Sequence, residues 1–326
     1  MDGDLRPRIS LLWLDRMTDR IITIQNSPLS LKRLAAMRVL YATAKQFFTL
    51  QLILSVPTVI CIAIAALAFD KQWFGLPKFD IAWFVGASGG LFVILDICIW
   101  NPVINRRREK AAKIQQCFDC AVLNLAWNEI HYGKPPDHED IEIWSKKYTH
   151  NPGADLENWY RVEVDALPHE IARLLCQRAN CWWDMDLRHR YNIVVYVVGV
   201  FLLTAMVILA IFLNCSVETI FGLAIAPILP FFTIAPKLVQ DNKDAIGRLQ
   251  AMKEAMECMW ARVLQGTAQA DELNLFAEEI QIGIFNNRKN NPLIFDWVHR
   301  RAKPAHEETT SKSTEEYVAE YRAAHP

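Results

Sequence analysis

The chain has 326 residues, 52% of them hydrophobic, and its 35 basic and 36 acidic side chains leave a formal net charge of −1. That sum averages basic flanks against acidic segments and points to no partner, whereas the apolar content exceeds that of an ordinary soluble domain. The eight cysteines are not read as a disulfide scaffold. The chain is long, and its start holds acids at Asp2 and Asp4 and only the short apolar run Ile9 to Leu14, so no secretory signal is expected and the thiols are expected to be reduced.

Residues 1–49 form an N-terminal cytosolic helical segment in this reading, basic towards its end with Lys32, Arg33, Arg38 and Lys45. Residues 50–104 hold a first transmembrane hairpin. Its spans run from about Leu50 to Phe69 and from about Ile81 to Trp100, each close to the 20 or so apolar residues that cross a bilayer as helix. Asp96 is the only charge in the second span. A carboxylate at that depth marks either a conduction pathway or a paired group, unless it lies at the interface with the basic run Arg106 to Arg108. Ala82, Gly86 and Gly90 recur every four residues, small residues that let helices approach closely, within the hairpin or between copies.

Residues 105–191 read as a central cytosolic helical domain. Ile114, Phe118, Ala121, Val122 and Leu125 form a helical stripe, Gly133-Lys-Pro-Pro136 breaks it, and Pro168 opens a helix carrying Ile171, Leu174, Leu175 and Ala179 on one face. Trp182, Trp183 and Tyr191 fit interfacial anchors. Asp184, Asp186, Arg188 and Arg190 are spaced to pair along a helix, as a lever into the third span or as ordinary surface ion pairs.

Residues 192–236 hold a second hairpin, with spans from Ile193 to Leu213 and from about Thr219 to Ala235. Pro227 and Pro230 lie inside the fourth span, where lost backbone bonds make a hinge, a water-lined path or a plain kink. Residues 237–302 carry two further helices. The first has Ala245, Leu249, Met252, Met256, Met259 and Val263 in a heptad seam that Gly266 ends. Residues 303–326 are a polar tail expected to form no core. No strand pattern occurs, so the expected class is all-α: a four-span helical membrane protein built of two hairpins. Lysine and arginine gather outside the hairpin tips, which places both termini and the centre in the cytosol.

Three groups of residues carry a resemblance. Ile24-Gln-Asn26, Leu34-Ala-Ala36 and Tyr41-Ala-Thr-Ala-Lys45 precede the first span. Ala172-Arg173, Cys176-Gln-Arg178, Asn180, Trp183-Asp184, Leu187-Arg188 and Arg190-Tyr191 precede the third. Gln281, Ile284-Phe285, Arg288, Pro292 and Ile294-Phe-Asp-Trp297 stand near the end. Together these resemble the S-4TM family of pore-forming effectors, associated with bacterial cyclic-oligonucleotide antiphage signalling. The resemblance implies a multi-pass bacterial inner-membrane protein that permeabilises its own cell's membrane when a nucleotide messenger appears. It also implies a homo-oligomer in the lipid bilayer and a cyclic oligonucleotide from a neighbouring nucleotidyltransferase as activator.

Catalytic patterns are lacking: no phosphate loop and no HExxH. Cys117 and Cys120 have metal-ligand spacing without a second pair, and no metal, cofactor, enzymatic activity or nucleic-acid polymer is expected. Arg173, Arg178, Arg188 and Arg288 are the candidates for an anionic ligand. A constitutive small-solute channel or transporter, and a membrane-tethered sensor that recruits a soluble partner through the heptad seam, are the alternative functions. Cysteine-accessibility labelling tests the topology: cysteines placed at Lys78 and Ser216 should react from outside the cell, and at Lys113 and Lys253 only after permeabilisation. Equal protection at 216 and 253 would show that the fourth segment does not cross.

Overall fold

The computed structural model describes residues 20–55, 57–70, 72–75, 77, 87, 90–92, 94–212 and 226–326. The described residues are helical and turn structure without a strand, so the all-α expectation holds. The helices are α1 (Ile21–Gln25), α2 (Pro28–Ser55), α3 (Pro57–Asp70), α4 (Asn101–Val122), α5 (Glu129–Tyr132), α6 (His138–Ser145), α7 (Pro152–Leu156), α8 (His169–Phe212), α9 (Ala226–Leu264), α10 (Ala270–Asn290) and α11 (Asp296–Ala324). A π-helical turn, Asp96–Trp100, leads into α4.

Pro168 opens α8 as expected: its carbonyl accepts from the N–H groups of Ile171 and Ala172. The helix then runs 44 residues without a break, about 66 Å at 1.5 Å per residue. Its first half belongs to the helical body, where Leu174 and Leu175 join Leu34, Leu40, Ile114, Phe118, Met256 and Ile280 in one core. Its second half has a different surface. Ile193, Val197, Val200, Phe201, Ile208 and Ile211 are each at least 61% exposed, and the 20 positions from Ile193 to Phe212 carry no charge. Ile94 and Ile97 near the π-turn are exposed in the same way. Among the described residues no helix is long and apolar enough to cross a membrane, so the four crossings rest on the sequence reading.

Two expectations are corrected. The seam on α9 is not a free surface: Ala245, Leu249, Met256, Met259 and Val263 are buried inside the chain's own body, and Met252 lies against Gly283 of α10, where a Cβ would collide with its sulfur. The heptad spacing is met by antiparallel packing of α9 on α8 and α10, which uses the same knobs as a coiled coil between copies. A soluble partner therefore cannot dock on this row while the body is folded. Gly266, at φ +68°, ends the helix as the sequence indicated.

The polar tail is the second correction. It is the continuation of α11, with Val298, Ala302, His306, Thr310, Thr314 and Val318 buried. These positions recur every fourth residue. Each step of four advances about 40° around an α-helix, so the buried row winds and meets different partners in turn. Val298 and Ala302 pack with Leu187 and Tyr191, His306 sits by Trp182 and Trp183, and Val318 joins the main core. The Ser311 hydroxyl donates to Glu163 at 2.6 Å and the Trp260 indole to Glu320 at 2.9 Å. Of the aromatic residues expected at the bilayer interface, Tyr191 is buried with its ring 5.9 Å from that of Phe295, and Trp182 and Trp183 are half-buried beside His306.

Met256→Ala should lower the unfolding free energy by about 2–5 kcal/mol and leave the mass of detergent-solubilised particles unchanged. A lower mass with an unchanged melting curve would assign the row to contacts between copies.

Candidate functional site

A fully buried carboxylate organises the body. Asp119 of α4 pairs with the Arg288 guanidinium of α10. It also accepts the Tyr160 hydroxyl at 2.7 Å and the Gln281 amide at 2.9 Å. From this centre the bonding spreads. Gln281 reaches Gln116 at 2.9 Å, and Gln177 of α8 donates to the Gln281 side chain at 3.0 Å and to the Ala277 carbonyl at 2.8 Å. Asn180 donates to the Tyr160 hydroxyl at 3.1 Å. Gln25 of α1 brackets the Tyr160 backbone, accepting from its N–H at 2.7 Å and donating to its carbonyl at 3.1 Å. Burial works against the Arg288 charge, and Asp119 beside it more than restores it. Burial, followed by the Asp119 charge, raises the Tyr160 phenol well above its ordinary value, so it stays a donor.

The four candidate arginines are all brought into the body's own bonding. Arg288 holds Asp119. Arg173 donates to the carbonyls of Leu123 and Asn124 and, at 2.6 Å, to Asn274. Arg178 pairs with Glu257 at 2.8 Å and lies 4.7 Å from the centre of the Tyr317 ring. Arg188 is buried; it pairs with Asp184 at 3.1 Å and donates to Asn242 at 2.7 Å and to the Pro292 carbonyl at 3.3 Å. The second pair of the series, Asp186–Arg190 at 2.5 Å, also forms, and Asp186 additionally meets His306 Nε2 at 2.6 Å. Beneath this layer Lys45 pairs with Asp296 at 2.5 Å, and Arg248 and Arg108 converge on Asn291 at 2.8 and 3.0 Å.

The remaining candidates are scattered. Asp96, in the π-turn, accepts a hydrogen bond from the buried Gln51 of α2, so it has a partner in the neighbouring helix. Gly86 and Ala82 lie outside the described residues, and a Cβ on Gly90 would meet open space. Pro227 and Pro230 stand in the first turns of α9 as described. A proline within a helix removes the donor to the carbonyl four residues before it, which for Pro230 is Ala226. Cys117 and Cys120 belong to the packing, as their spacing on an amphipathic helix suggested. Burial pushes their thiols up to about 11 and about 12, and Gln116 donates to the Cys120 sulfur at 3.3 Å.

The three residue groups of the resemblance are therefore far apart in sequence and joined in space: Gln25, Gln177, Asn180, Gln281 and Arg288 are links of one network. The model of the SMODS-associating 4TM effector domain matches residues 19–317. The chain belongs to this family. A probable CBASS effector molecule of Bacillus cereus (strain VD146) is 26% identical over 277 residues, covering 84% of this chain and 90% of that protein. No solved structure matches. Within this effector chain, sequence reasoning missed Asp119, Tyr160 and His306. Gln115, Gln116 and Asp119 form a polar row beside the stripe Ile114–Phe118–Val122, and that row was the available signal for Asp119.

Arg288→Met would strand the Asp119 charge, and loss of one partner of a buried pair costs about 3–5 kcal/mol. In chemical denaturation, Asp119→Asn combined with Arg288→Gln should recover much of that loss. A cost below about 1 kcal/mol for the single change would show that the pair does not organise the body.

Proposed function

We propose that this chain is the membrane-permeabilising effector of a nucleotide-signalled antiphage system, acting on the inner membrane of its own cell. The observation that carries the reading is the pair of surfaces on α8. One half of a single unbroken helix is tied by Gln177, Asn180 and Arg188 into a polar body, and the other half presents a charge-free surface of exposed Val, Ile and Phe. Exposed apolar area of that extent is unfavourable in water and favourable against hydrocarbon. The family and the relative's description supply the biological setting. The described part of α3, which meets α9, and the exposed Ile94 and Ile97 are consistent with a first hairpin beside the second. Both termini and the body lie in the cytosol in this proposal.

Four spans leave little room for a pore within one protomer, so several copies form the lesion. The activator is a cyclic oligonucleotide made by a neighbouring nucleotidyltransferase. It must bind the open arrangement better than the closed one. No catalytic step is part of this function. With the seam buried, recruitment of a soluble partner through it is not retained.

Co-expression with the cognate signalling enzyme should depolarise the cells and admit an impermeant dye, whereas the chain alone should not. A leak that ignores the signal would instead identify a constitutive channel. Pro230→Leu restores the Ala226 bond without adding charge or shortening the apolar stretch, and should suppress dye entry while the protein still inserts. Undiminished entry through a well-expressed Pro230→Leu variant would remove the proline hinge from the mechanism.

A further inference from the structure

Between α8 and α11 lies a cleft of about 90 Å³. Arg178 and Trp182 line it from α8, Thr309, Ser313 and Tyr317 from α11, and Leu175 adds an apolar wall. Its chemistry is not that of a packing defect. Two aromatic side chains and a guanidinium meet a row of hydroxyls. Arg178 Nε is buried without a partner, although its Nη2 is held by Glu257. The Ser313 hydroxyl has no partner among the described residues, and the Thr309 hydroxyl donates to the Ala305 carbonyl at 2.8 Å, leaving its oxygen free to accept.

We propose that this cleft receives one nucleotide unit of the activating cyclic oligonucleotide. The base stacks against Trp182, as bases stack on aromatic rings, while the Tyr317 ring backs the Arg178 guanidinium. Its polar edge meets the Thr309 and Ser313 hydroxyls, and the adjoining phosphate replaces the Glu257 carboxylate on Arg178. Charge-assisted, two-pronged bonding favours that exchange, because phosphate matches the guanidinium fork. Glu257 does not lose every partner, since Lys253 stands 3.1 Å away. The inference rests on the nucleotide-gated reading above and adds the location of the site.

The cleft is well below the roughly 300 Å³ at which small-ligand pockets begin. A whole cyclic oligonucleotide therefore enters only by parting α11 from α8. The contact surface is built for separation: Thr310 and Thr314 donate to the carbonyls of their own helix, His306 and Thr310, at 2.7 Å each. Moving α11 aside leaves those hydroxyls satisfied, and the polar links that must yield are His306–Asp186, Ser311–Glu163 and Trp260–Glu320. Trp182 lies 11 residues before Ile193 on the same helix, about 16 Å along its axis, so the wedge acts directly on the helix that continues into the apolar stretch.

The test uses the full-length chain in phospholipid nanodiscs, with radiolabelled cyclic di-AMP, cyclic GMP–AMP and cyclic tri-AMP in equilibrium dialysis. The probe bound tightest by the wild type is then measured against Ser313→Trp, which fills the cleft, and Arg178→Met. Each should weaken binding by about tenfold or more, with a melting temperature near that of the wild type. Where Ser313→Trp unfolds the protein, Ser313→Val takes its place. An 8-azidoadenosine version of the probe should label peptides containing residues 175–182 or 309–317. A bound probe whose affinity is unchanged by these variants, or whose label falls on other peptides, overturns the cleft site alone. Binding of none of the three probes by the wild type overturns the nucleotide-gated reading, and the site with it.

Discussion

A carboxylate removed from water and set beside a guanidinium is costly to assemble and more costly to half-assemble. Asp119 has no exposed surface, and its partners come from four other parts of the chain: Tyr160 from the loop before α8, with Gln25 of α1 behind it, Gln281 and Arg288 from α10, and Gln177 of α8 through Gln281. Such a cluster adds little net stability compared with a well-packed apolar core of the same size. Its effect is on uniqueness. Each amide and hydroxyl in the chain of bonds is satisfied in one arrangement of the helices, and a slipped register would bury an unpaired charge. The positions of α1, α4, α8 and α10 all follow from this.

The same network joins the two halves of α8 mechanically. Gln177, Asn180 and Arg188 fasten one half of α8 on several sides, and no loop or break separates them from the apolar half. A rotation or shift of the fastened half is carried along a continuous hydrogen-bonded ladder. α11 meets α8 through an apolar end, Val298 and Ala302 on Leu187 and Tyr191, and beyond it through hydroxyl-bearing side chains, His306 and Tyr317.

Much of this architecture was legible in the residues. Apolar periodicity gave the stripe on α4, the opening of α8 at Pro168 and the end of α9 at Gly266. Spacing gave both ion pairs on α8. What escaped the reading was polar. α11 buries Thr and His at a period of four, and a search for apolar repeats passes over it. Asp119 drew no reading beside the core stripe, because its compensating arginine lies 169 positions away. The heptad on α9 was correctly recognised as a packing row, but a sequence pattern cannot say whether the facing helix belongs to the same chain. The candidate arginines were found for their charge, and three of the four prove to be occupied by carboxylates of the body itself.

The order of synthesis gives the Asp119–Arg288 pair one further consequence. Asp119 emerges early, after the first apolar segments and before the second, whereas Arg288 follows the long charge-free stretch that begins at Ile193. Until α10 is made, the carboxylate must stay in water, and α4 cannot bury its polar row. The body therefore closes only after the whole second apolar region has been translated and has left the ribosome. A chain interrupted within that region would expose apolar surface but lack the completed helical body, and would be a substrate for proteolysis. For a protein whose proposed task is to damage its own cell, a late-closing core delays competence until the chain is complete.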